Sequence, residues 1–395
     1  MGRTWTSQDF PVGFFHDLHA DESVNFQLNR LYNWSNDATM LDQMRQAAGS
    51  IHSYDDLIRE FTSLGESAHN DGEKLRAALY LRGAEFFIPE GDPSKQELRR
   101  RFIELINEYY EIDDTQHERI PYKDGFLSAY RYTPESPRET ILLINGFDAY
   151  IEELTRFALV LRDAGYDVIA FDGPGQGTVL EELGTPMTPE WEGPVAAVLD
   201  HFGVAKATAI GASLGGFLAL RAAAFEKRIT KVICFDIMPD FSACLLRYMP
   251  DRLRAILAGA VSYGQGRRLI NRVFQRLEKR SLIVQWGLAQ GTHVMGSDTP
   301  YDFLRSTLQY RTAPFSGAID QDVLLLAGAE DHYVPIDQLP KQIATLTNAR
   351  SITARLFTAQ EMAANHCQLG NIGLALDTML DWLNRINAST AMLES

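Results

Sequence analysis

Cysteine is scarce in this sequence: Cys234, Cys244 and Cys367 are the three among 395 residues. An odd number of thiols cannot all pair within one chain, and their spacing matches no zinc-binding pattern. These features argue against a disulfide-stabilised secreted fold and against a structural zinc site. We expect reduced thiols in a cytoplasmic protein that binds no metal.

Long apolar runs and dense basic stretches are also missing. No run is long enough to span a bilayer, and the N-terminus has no apolar segment of signal-peptide length. The first residues, from Met1-Gly2, match the loose myristoylation pattern, which we interpret as accidental. A net charge of −15 without a Lys/Arg stripe disfavours nucleic acid and anionic membranes. We expect a small-molecule substrate, no nucleic acid and no membrane, and we leave a homodimer open.

Cofactor motifs are absent as well. The sequence contains no phosphate-binding loop, flavin motif or metal-ligand cluster, so we expect no cofactor. Gly173-Pro174-Gly175-Gln176-Gly177 is glycine-rich, but its spacing is not that of a dinucleotide-binding loop, and we predict no helix directly after it. We interpret it as a loop that passes close under a pocket.

Helical patterns dominate the first part of the chain. Residues 20–112 carry helical periodicity and helix-start signals without a strand pattern. Asp21 and Ser53 mark two starts, and Ser94 with Glu97 predicts a capping box. Broad apolar faces on these helices indicate that they pack on something larger. We predict a helical N-terminal domain over residues 1–116.

The pattern changes to period two near residue 117. Two short runs flank Lys123-Asp124-Gly125, which predicts a β-hairpin with an Asp-Gly turn. Apolar strand patterns then alternate with helices, at 140–144, 167–171, the run from Thr208, 231–235, 322–327 and 351–357. This alternation predicts an α/β fold, a mostly parallel sheet with helices on both faces. Its core segments are 117–239 and 316–395.

The strongest motif is Gly211-Ala212-Ser213-Leu214-Gly215, between an apolar strand and an Ala-rich helix. A sharp strand-to-helix turn leaves almost no room two residues before and after the serine, which two glycines satisfy. This is the nucleophile elbow of the α/β-hydrolase fold, with Ser213 as nucleophile. The N–H of Leu214 would point at a developing oxyanion, and the loop after 140–144 would supply a second donor, the Phe147 N–H.

In this fold the acid and the base follow the serine in chain order. Asp331, just past the strand pattern at 322–327, is the predicted acid, with Glu330 as the fallback. His366, after the last strand pattern, is the predicted base. His332 is its competitor, less suited because it lies beside the acid.

The helical segment 240–315 interrupts the alternation after the strand beside the elbow strand. We predict that it forms a cap over Ser213 and shares the substrate pocket with the N-terminal helices. Trp286 and His293 in this cap, and Asp148 beside the oxyanion loop, are the predicted substrate contacts. Arg247, Arg252 and Arg254 could bind a phenolate, although surface positions are the plainer interpretation.

Four stretches together resemble one family. They are Gly146-Phe147-Asp148 with Glu152-Glu153, Phe171-Asp172-Gly173-Pro174-Gly175-Gln176-Gly177, the elbow, and His366-Cys367-Gln368-Leu369-Gly370-Asn371. The chain resembles the serine α/β-hydrolases that include 2,6-dihydroxypseudooxynicotine hydrolase, the fungal polyketide-shortening hydrolases and the FrsA-like esterases. It departs from them at Asn145, where many relatives have Gly, and at Ala149-Tyr150-Ile151.

The resemblance implies a hydrolase that cleaves a C–C bond next to a carbonyl in an aromatic or polyketide-type molecule, in secondary metabolism or catabolism. An ester would be cleaved by the same residues. Two alternatives stay open: a cyclase or acyl-transfer enzyme of natural-product biosynthesis without net hydrolysis, and a non-catalytic small-molecule receptor.

Overall fold

A computed structural model describes residues 3–247 and 249–394 of the chain. Gly2, the residue that the myristoylation pattern would modify, lies outside this range. The described N-terminal part is helical, as the periodicity predicted. Its α-helices are α1 (Glu22–Ser35), α2 (Ala38–Ala48), α3 (Tyr54–Asn70), α4 (Lys74–Glu85) and α5 (Pro93–Tyr110). Sequence patterns missed α2, whose Asp37 cap follows directly on the end of α1.

The start of α5 differs from the predicted capping box of Ser94 and Glu97. Asp92 is the N-cap, and its carboxylate accepts a hydrogen bond of 2.9 Å from the Ser94 N–H. Pro93 takes the first helical position, where its fixed φ and missing N–H cost nothing. Glu97 is one turn inside the helix and pairs with Arg100 instead.

A single mixed sheet follows. Its strands are β1 (His117–Tyr122), β2 (Gly125–Tyr132), β3 (Thr140–Ile144), β4 (Asp167–Asp172), β5 (Ala207–Ala212), β6 (Ile229–Phe235), β7 (Asp322–Gly328) and β8 (Ser351–Phe357). Their order across the sheet is β1-β2-β4-β3-β5-β6-β7-β8. Neighbouring strands from β4 to β8 across the sheet are parallel to one another. β2 pairs antiparallel with both of its neighbours, β1 and β4.

The predicted hairpin forms with a different turn. Gly125 pairs with Tyr122 in the ladder, so the two turn residues are Lys123 and Asp124 rather than Asp124 and Gly125. Lys123 takes the positive φ of 50° that the turn requires.

Helices cover both faces of the sheet. They are α6 (Thr155–Asp163), α7 (Gly177–Leu183), α8 (Glu192–His201), α9 (Gly215–Phe225), α15 (Gln338–Thr345) and α16 (Ile372–Glu394). α7 corrects the sequence interpretation, because a helix does begin directly at Gly177. A Cβ on Gly177 would approach the Asp172 carboxylate to 1.8 Å, so the close approach of loop and strand requires this glycine.

Alternate strand residues face two different cores. Leu142 packs with Trp191 and Phe217 on one face of the sheet. Leu143 belongs to the opposite cluster, which is continuous with the buried side chains of α1 to α5. The N-terminal helices therefore share one continuous hydrophobic core with this face of the sheet, which is why their apolar faces are broad.

Residues 240–315 contain α10 (Phe241–Leu245), α11 (Asp251–Ser262), α12 (Arg267–Leu277), α13 (Leu282–Val294) and α14 (Pro300–Thr307). The two ends of this segment meet: the Phe241 N–H donates to Tyr310 O at 3.1 Å, and the Thr312 N–H donates to Pro239 O at 2.9 Å. The segment thus leaves and re-enters the core at one place. The domain boundaries at 116, 239 and 315 stay a prediction.

Within residues 3–247 and 249–394, no helix combines the length and the apolar character that crossing a bilayer requires.

Candidate active site

Ser213 sits at the tight turn between β5 and α9. Its φ of 56° is in the left-handed region, and its N–H donates to Phe235 O at the end of β6 at 2.7 Å. A Cβ on Gly211 would approach Gly215 O to 1.9 Å, and one on Gly215 would approach Ile144 O to 2.6 Å. Both predicted glycines are therefore required by close backbone contacts. The turn presents Ser213 at the carboxyl edge of the parallel strands.

Tertiary structure brings Ser213, His366 and Asp331 together. His366 Nε2 lies 2.8 Å from Ser213 Oγ, and His366 Nδ1 lies 2.6 Å from Asp331 Oδ2. A carboxylate can only accept, so Nδ1 carries the proton and Nε2 is free to accept one from Ser213. The other Asp331 oxygen accepts the backbone N–H groups of Tyr333 and Val334, which fixes the carboxylate.

Burial and charge act in opposite directions on this pair. Burial lowers the pKa of His366, but the charge of Asp331 and its hydrogen bond outweigh burial and raise the pKa well above its ordinary value. Burial raises the pKa of Asp331, yet the facing imidazole and the hydrogen bonds lower it overall. The pair is thus arranged to stabilise an imidazolium beside Ser213.

The two competing candidates lie elsewhere. His332 packs its ring on Phe26 and Tyr333, with centroids 4.3 and 3.9 Å apart. Burial lowers the pKa of His332 to about 3, against the opposing effect of Asp331. Glu330 is exposed. Ser213 therefore has its hydrogen bond to His366 and not to His332.

The loop after β3 lies against the elbow. A Cβ on Gly146 would come within 3.0 Å of Ser213 Cβ and 3.4 Å of Leu214 N. Among the described residues, the N–H groups of Phe147 and Leu214 donate no backbone hydrogen bond, so both remain available to a ligand. The loop itself is fixed, because Gln176 Nε2 donates to Asn145 O at 2.6 Å and to Gly146 O at 2.9 Å.

A buried ion network from the N-terminal helices reaches the same loop. Arg82 on α4 donates through Nη2 to Asp148 O at 2.7 Å and through Nε to Glu153 at 2.8 Å. Arg30 on α1 bonds Glu153 at 2.6 Å and faces the Asp148 carboxylate at 3.6 Å. Arg82 and Glu153 are buried, so loss of either charge would leave the other without its partner inside the protein. The network therefore couples the N-terminal helices to the loop that carries Phe147.

Ser213 and His366 open into a cavity of about 490 Å³. Its walls come from α1, the loop after β3, the helices of 240–315 and the segment after β7. They include Phe26, Arg30, Phe147, Asp148, Phe241, Arg247, Phe274, Trp286, Phe303 and Tyr333. Trp286 stacks on Phe86 with ring centroids 5.3 Å apart, so it joins the 240–315 segment to the N-terminal helices. The predicted neighbours Asp148 and Trp286 thus lie at this cavity.

His293 does not line this cavity. Its Nε2 lies 3.2 Å from Glu181 and 3.3 Å from Glu90, where it joins α13 to α7 and to the N-terminal part. His293 lies about two turns further along α13 than Trp286, and its side chain faces these carboxylates. The structure therefore places His293 away from the cavity at which a substrate contact was predicted. Of the three arginines considered, Arg247 lines the cavity, and Arg252 and Arg254 are not among its lining residues.

Sequence reasoning missed Arg30, Arg82 and the hydrogen-bonding role of Gln176. Gln176 lies in the glycine-rich stretch 173–177, whose glycines are its conspicuous feature in the sequence. The two arginines sit in ordinary amphipathic helices, where nothing distinguishes a buried arginine from a solvated one. Only the packing of α1 and α4 on the loop after β3 reveals their contacts.

The raised pKa of His366 gives the reaction of Ser213 a pH dependence. The base must be neutral to accept the Ser213 proton, so labelling by a fluorophosphonate should fall as pH drops through the pKa of His366. We call this fall in rate at low pH the acid limb, and we expect its midpoint above about pH 6.5, the ordinary pKa of histidine. Asp331→Asn removes the negative charge and should move the midpoint to lower pH and slow labelling. Glu330→Gln is the control and should leave the profile unchanged; an unshifted limb in Asp331→Asn would contradict the expectation.

The fold and this geometry can be compared with known proteins. The alpha/beta hydrolase fold family matches residues 139–360, which is more than half of the chain. The chain belongs to the α/β-hydrolase fold family. The predicted fold class and the predicted resemblance are thereby confirmed.

Relatives at the sequence level are fungal hydrolases. The chain is 30% identical to 20-hydroxy-prefusarin hydrolase FUS2 of Gibberella moniliformis over 355 residues, 83% of this chain and 84% of the relative. It is 25% identical to hydrolyase poxO of Penicillium oxalicum over 362 residues, 82% and 85% of the two chains. Each match spans more than four fifths of this chain, so it extends beyond residues 139–360.

Solved structures share the architecture over nearly the whole α/β-hydrolase chain. The 2,6-dihydroxy-pseudo-oxynicotine hydrolase superposes with a TM-score of 0.59 at 21% identity, covering 90% of this chain and 94% of its own. AbyA5 superposes with a TM-score of 0.62 at 16% identity, covering 91% and 95%. At such identities the likeness establishes the fold.

Proposed function

We propose that this chain is a serine hydrolase that cleaves a C–C bond next to a carbonyl, or an ester, in a neutral aromatic or polyketide-type small molecule. The observation that carries the proposal is the hydrogen-bonded series Ser213–His366–Asp331 in the wall of the cavity, at 2.8 and 2.6 Å. Hydrogen bonds of this length are those that activate a serine nucleophile.

The first half of the proposed reaction forms an acyl-enzyme. Ser213 Oγ attacks the substrate carbonyl carbon while His366 Nε2 takes the hydroxyl proton. The carbonyl oxygen becomes an alkoxide, which the N–H groups of Phe147 and Leu214 would stabilise. When the tetrahedral species collapses, the bond from the carbonyl carbon to the leaving group breaks.

The leaving group decides between C–C and ester cleavage. In C–C cleavage the departing carbon takes the electron pair as an enolate or an electron-rich aryl carbanion, and His366 returns its proton there. In ester cleavage an alcohol oxygen takes both. A water, deprotonated by His366, then attacks the acyl-enzyme and frees the carboxylic acid, which restores Ser213.

The cavity and the relatives support the substrate class. A volume of about 490 Å³ lies in the range of small-molecule sites. Acidic side chains outnumber arginines among its described lining residues, which disfavours a strongly anionic substrate. A sequence relative is a 20-hydroxy-prefusarin hydrolase and a structural neighbour is a 2,6-dihydroxy-pseudo-oxynicotine hydrolase, which suggests an oxygenated organic substrate here too.

The test is a product assay in H₂¹⁸O with candidate polyketides and aryl ketones. Hydrolysis places ¹⁸O in a product carboxylate, and the partner product shows whether a C–C or an ester bond was broken. An unlabelled product with the mass of the substrate, or lower by one water, would contradict hydrolysis and favour a cyclase. A protein that binds a candidate without turnover, and whose Ser213 resists fluorophosphonate, would favour a receptor.

Trp286 provides a test of the cavity as the substrate site. We expect Trp286→Ala to lower kcat/KM for the preferred substrate by roughly 10-fold or more, mainly through KM, because an aromatic wall is lost. The melting temperature should change little, since Trp286 is only partly buried where α13 meets the N-terminal helices. Tyr263→Ala is the matched aromatic control in 240–315: Tyr263 is 85% exposed, and its loss should leave kcat/KM unchanged. Equal effects of both variants would argue against a substrate contact.

A further inference from the structure

A second carboxyl group lies behind the Asp331–His366 pair. Asp236 directly follows β6 and has no exposed surface. One ligating atom from each of Asp236, Asp331 and His366 falls within 4.8 Å of the others. Asp331 already uses both oxygens, for His366 and for two backbone N–H groups. Asp331 therefore needs no hydrogen bond from Asp236, and the contacts of Asp236 with other residues indicate its role.

Asp236 holds the chain segment that carries His366. Its carboxyl group accepts the backbone N–H of Ile237 at 2.8 Å and the side-chain Nε2–H of Gln368 at 3.2 Å, and it faces the backbone N–H of Cys367. Cys367 and Gln368 have φ angles of 50° and 48°, a left-handed conformation that non-glycine residues adopt at a cost. Contacts from Asp236 to both residues offset that cost. They fix the turn on whose first residue the imidazole is mounted.

The surroundings also favour a proton on Asp236. Asp236 has no exposed surface, and the Ile237 N–H and the Gln368 amide that hydrogen-bond its oxygens are neutral donors. A ligating oxygen of Asp331 lies within 4.8 Å of one of its own, and two carboxyl groups so close inside the protein disfavour both being ionised. Burial, then the negative charge of Asp331, raise the pKa of Asp236 well above its ordinary value, and His366 opposes them.

We propose that Asp236 is a positioning residue: a protonated carboxylic acid that clamps the Cys367–Gln368 turn to the end of β6 and so holds His366 within reach of Ser213. Its neutrality matters, because an ionised group within 4.8 Å would add a second negative charge beside the imidazole. The clamp itself does not depend on the proposed reaction, but its effect on Ser213 rests on the proposed function.

The protonation state is measured without any substrate. The infrared difference spectrum between the wild-type protein and Asp236→Asn at neutral pH should contain the C=O stretching band of a protonated carboxylic acid, lost in the variant. Glu330→Gln, which changes an exposed neighbour of Asp331, should show no such loss. Absence of the band in the Asp236→Asn difference spectrum would overturn the proposal.

The positioning effect is measured as the rate of Ser213 labelling by a fluorophosphonate across pH. Asp236→Asn is neutral and keeps both a donor and an acceptor, so its rate should stay within about threefold of wild type with the same acid limb. Asp236→Ala removes the clamp and should slow labelling by about 100-fold, the scale of a misplaced catalytic group. Asp236→Asn becomes the deciding variant if Asp236→Ala does not fold.

Two labelling results would overturn the proposal. A shift of the acid limb to lower pH in Asp236→Asn would mean that an ionised Asp236 had been raising the pKa of His366. Labelling of Asp236→Ala at the wild-type rate would mean that the turn holds without the clamp. If wild-type Ser213 itself does not react, the proposed function fails, while the infrared result still decides the state of Asp236.

Discussion

Ser213→Ala should lower turnover by on the order of 10⁴-fold or more, with the fold intact. The hydroxyl is the proposed nucleophile, so its removal leaves only the binding contribution of the cavity and the free N–H groups of Phe147 and Leu214. Alanine keeps the Cβ at this tight turn, and we expect the melting temperature to stay close to wild type. Turnover and ¹⁸O incorporation, measured with enough enzyme to detect the residual rate, check the result.

Ser281→Ala is the matched control for this substitution. Ser281 also lines the cavity, and its side chain makes no capping hydrogen bond at the start of α13. We expect it to retain turnover within about threefold, as substitutions away from special features usually do. A Ser213→Ala protein that keeps a tenth of wild-type turnover would show that another group performs the chemistry.

His366→Asn should be about as damaging as Ser213→Ala, because the base and the nucleophile act as one unit. Asparagine can still donate to Asp331, which avoids leaving a buried carboxylate unpaired, but its amide cannot accept the Ser213 proton. The double variant Ser213→Ala/His366→Asn should be no slower than either single one. Turnover of the three proteins, compared at saturating substrate, measures this non-additivity.

His332→Asn is the matched control, since His332 was the alternative base. Its ring packs on Phe26 and Tyr333 and lines the cavity, so we expect a change in KM or stability rather than loss of the chemical step. Active His366→Asn together with inactive His332→Asn would reverse the assignment of the base.

Much of the fold could be predicted because its signals are local. Alternation of strands and helices identified the parallel sheet, and Asp21 and Ser53 correctly marked two helix starts. The errors were also local: Asp92 rather than Ser94 caps α5, and α7 begins where no helix was expected. In both places a proline or glycine permits a tighter start than the pattern suggested.

The candidate site was predictable to the extent that chain order implies position. In parallel strands the carboxyl ends meet at one edge, so residues that follow β5, β7 and β8 had to lie near one another. That argument selected Ser213, Asp331 and His366, which the structure brings into hydrogen-bond contact. It applies equally to Asp236 after β6, which was overlooked because it belongs to no recognised motif.

Residue types and their local spacing alone determined the turn at Ser213, the alternation that builds the sheet and the helical character of residues 20–112. Steric demands and side-chain periodicity act over a few residues, and the sequence displays them directly. Tertiary structure decided which charged helix residues are removed from solvent, as Arg82 is fully and Arg30 in part, and which residues of 240–315 reach the cavity. Trp286 reaches it and His293 turns to Glu181, because the packing of α13 between the N-terminal helices and α7 sends residues of one helix to different neighbours.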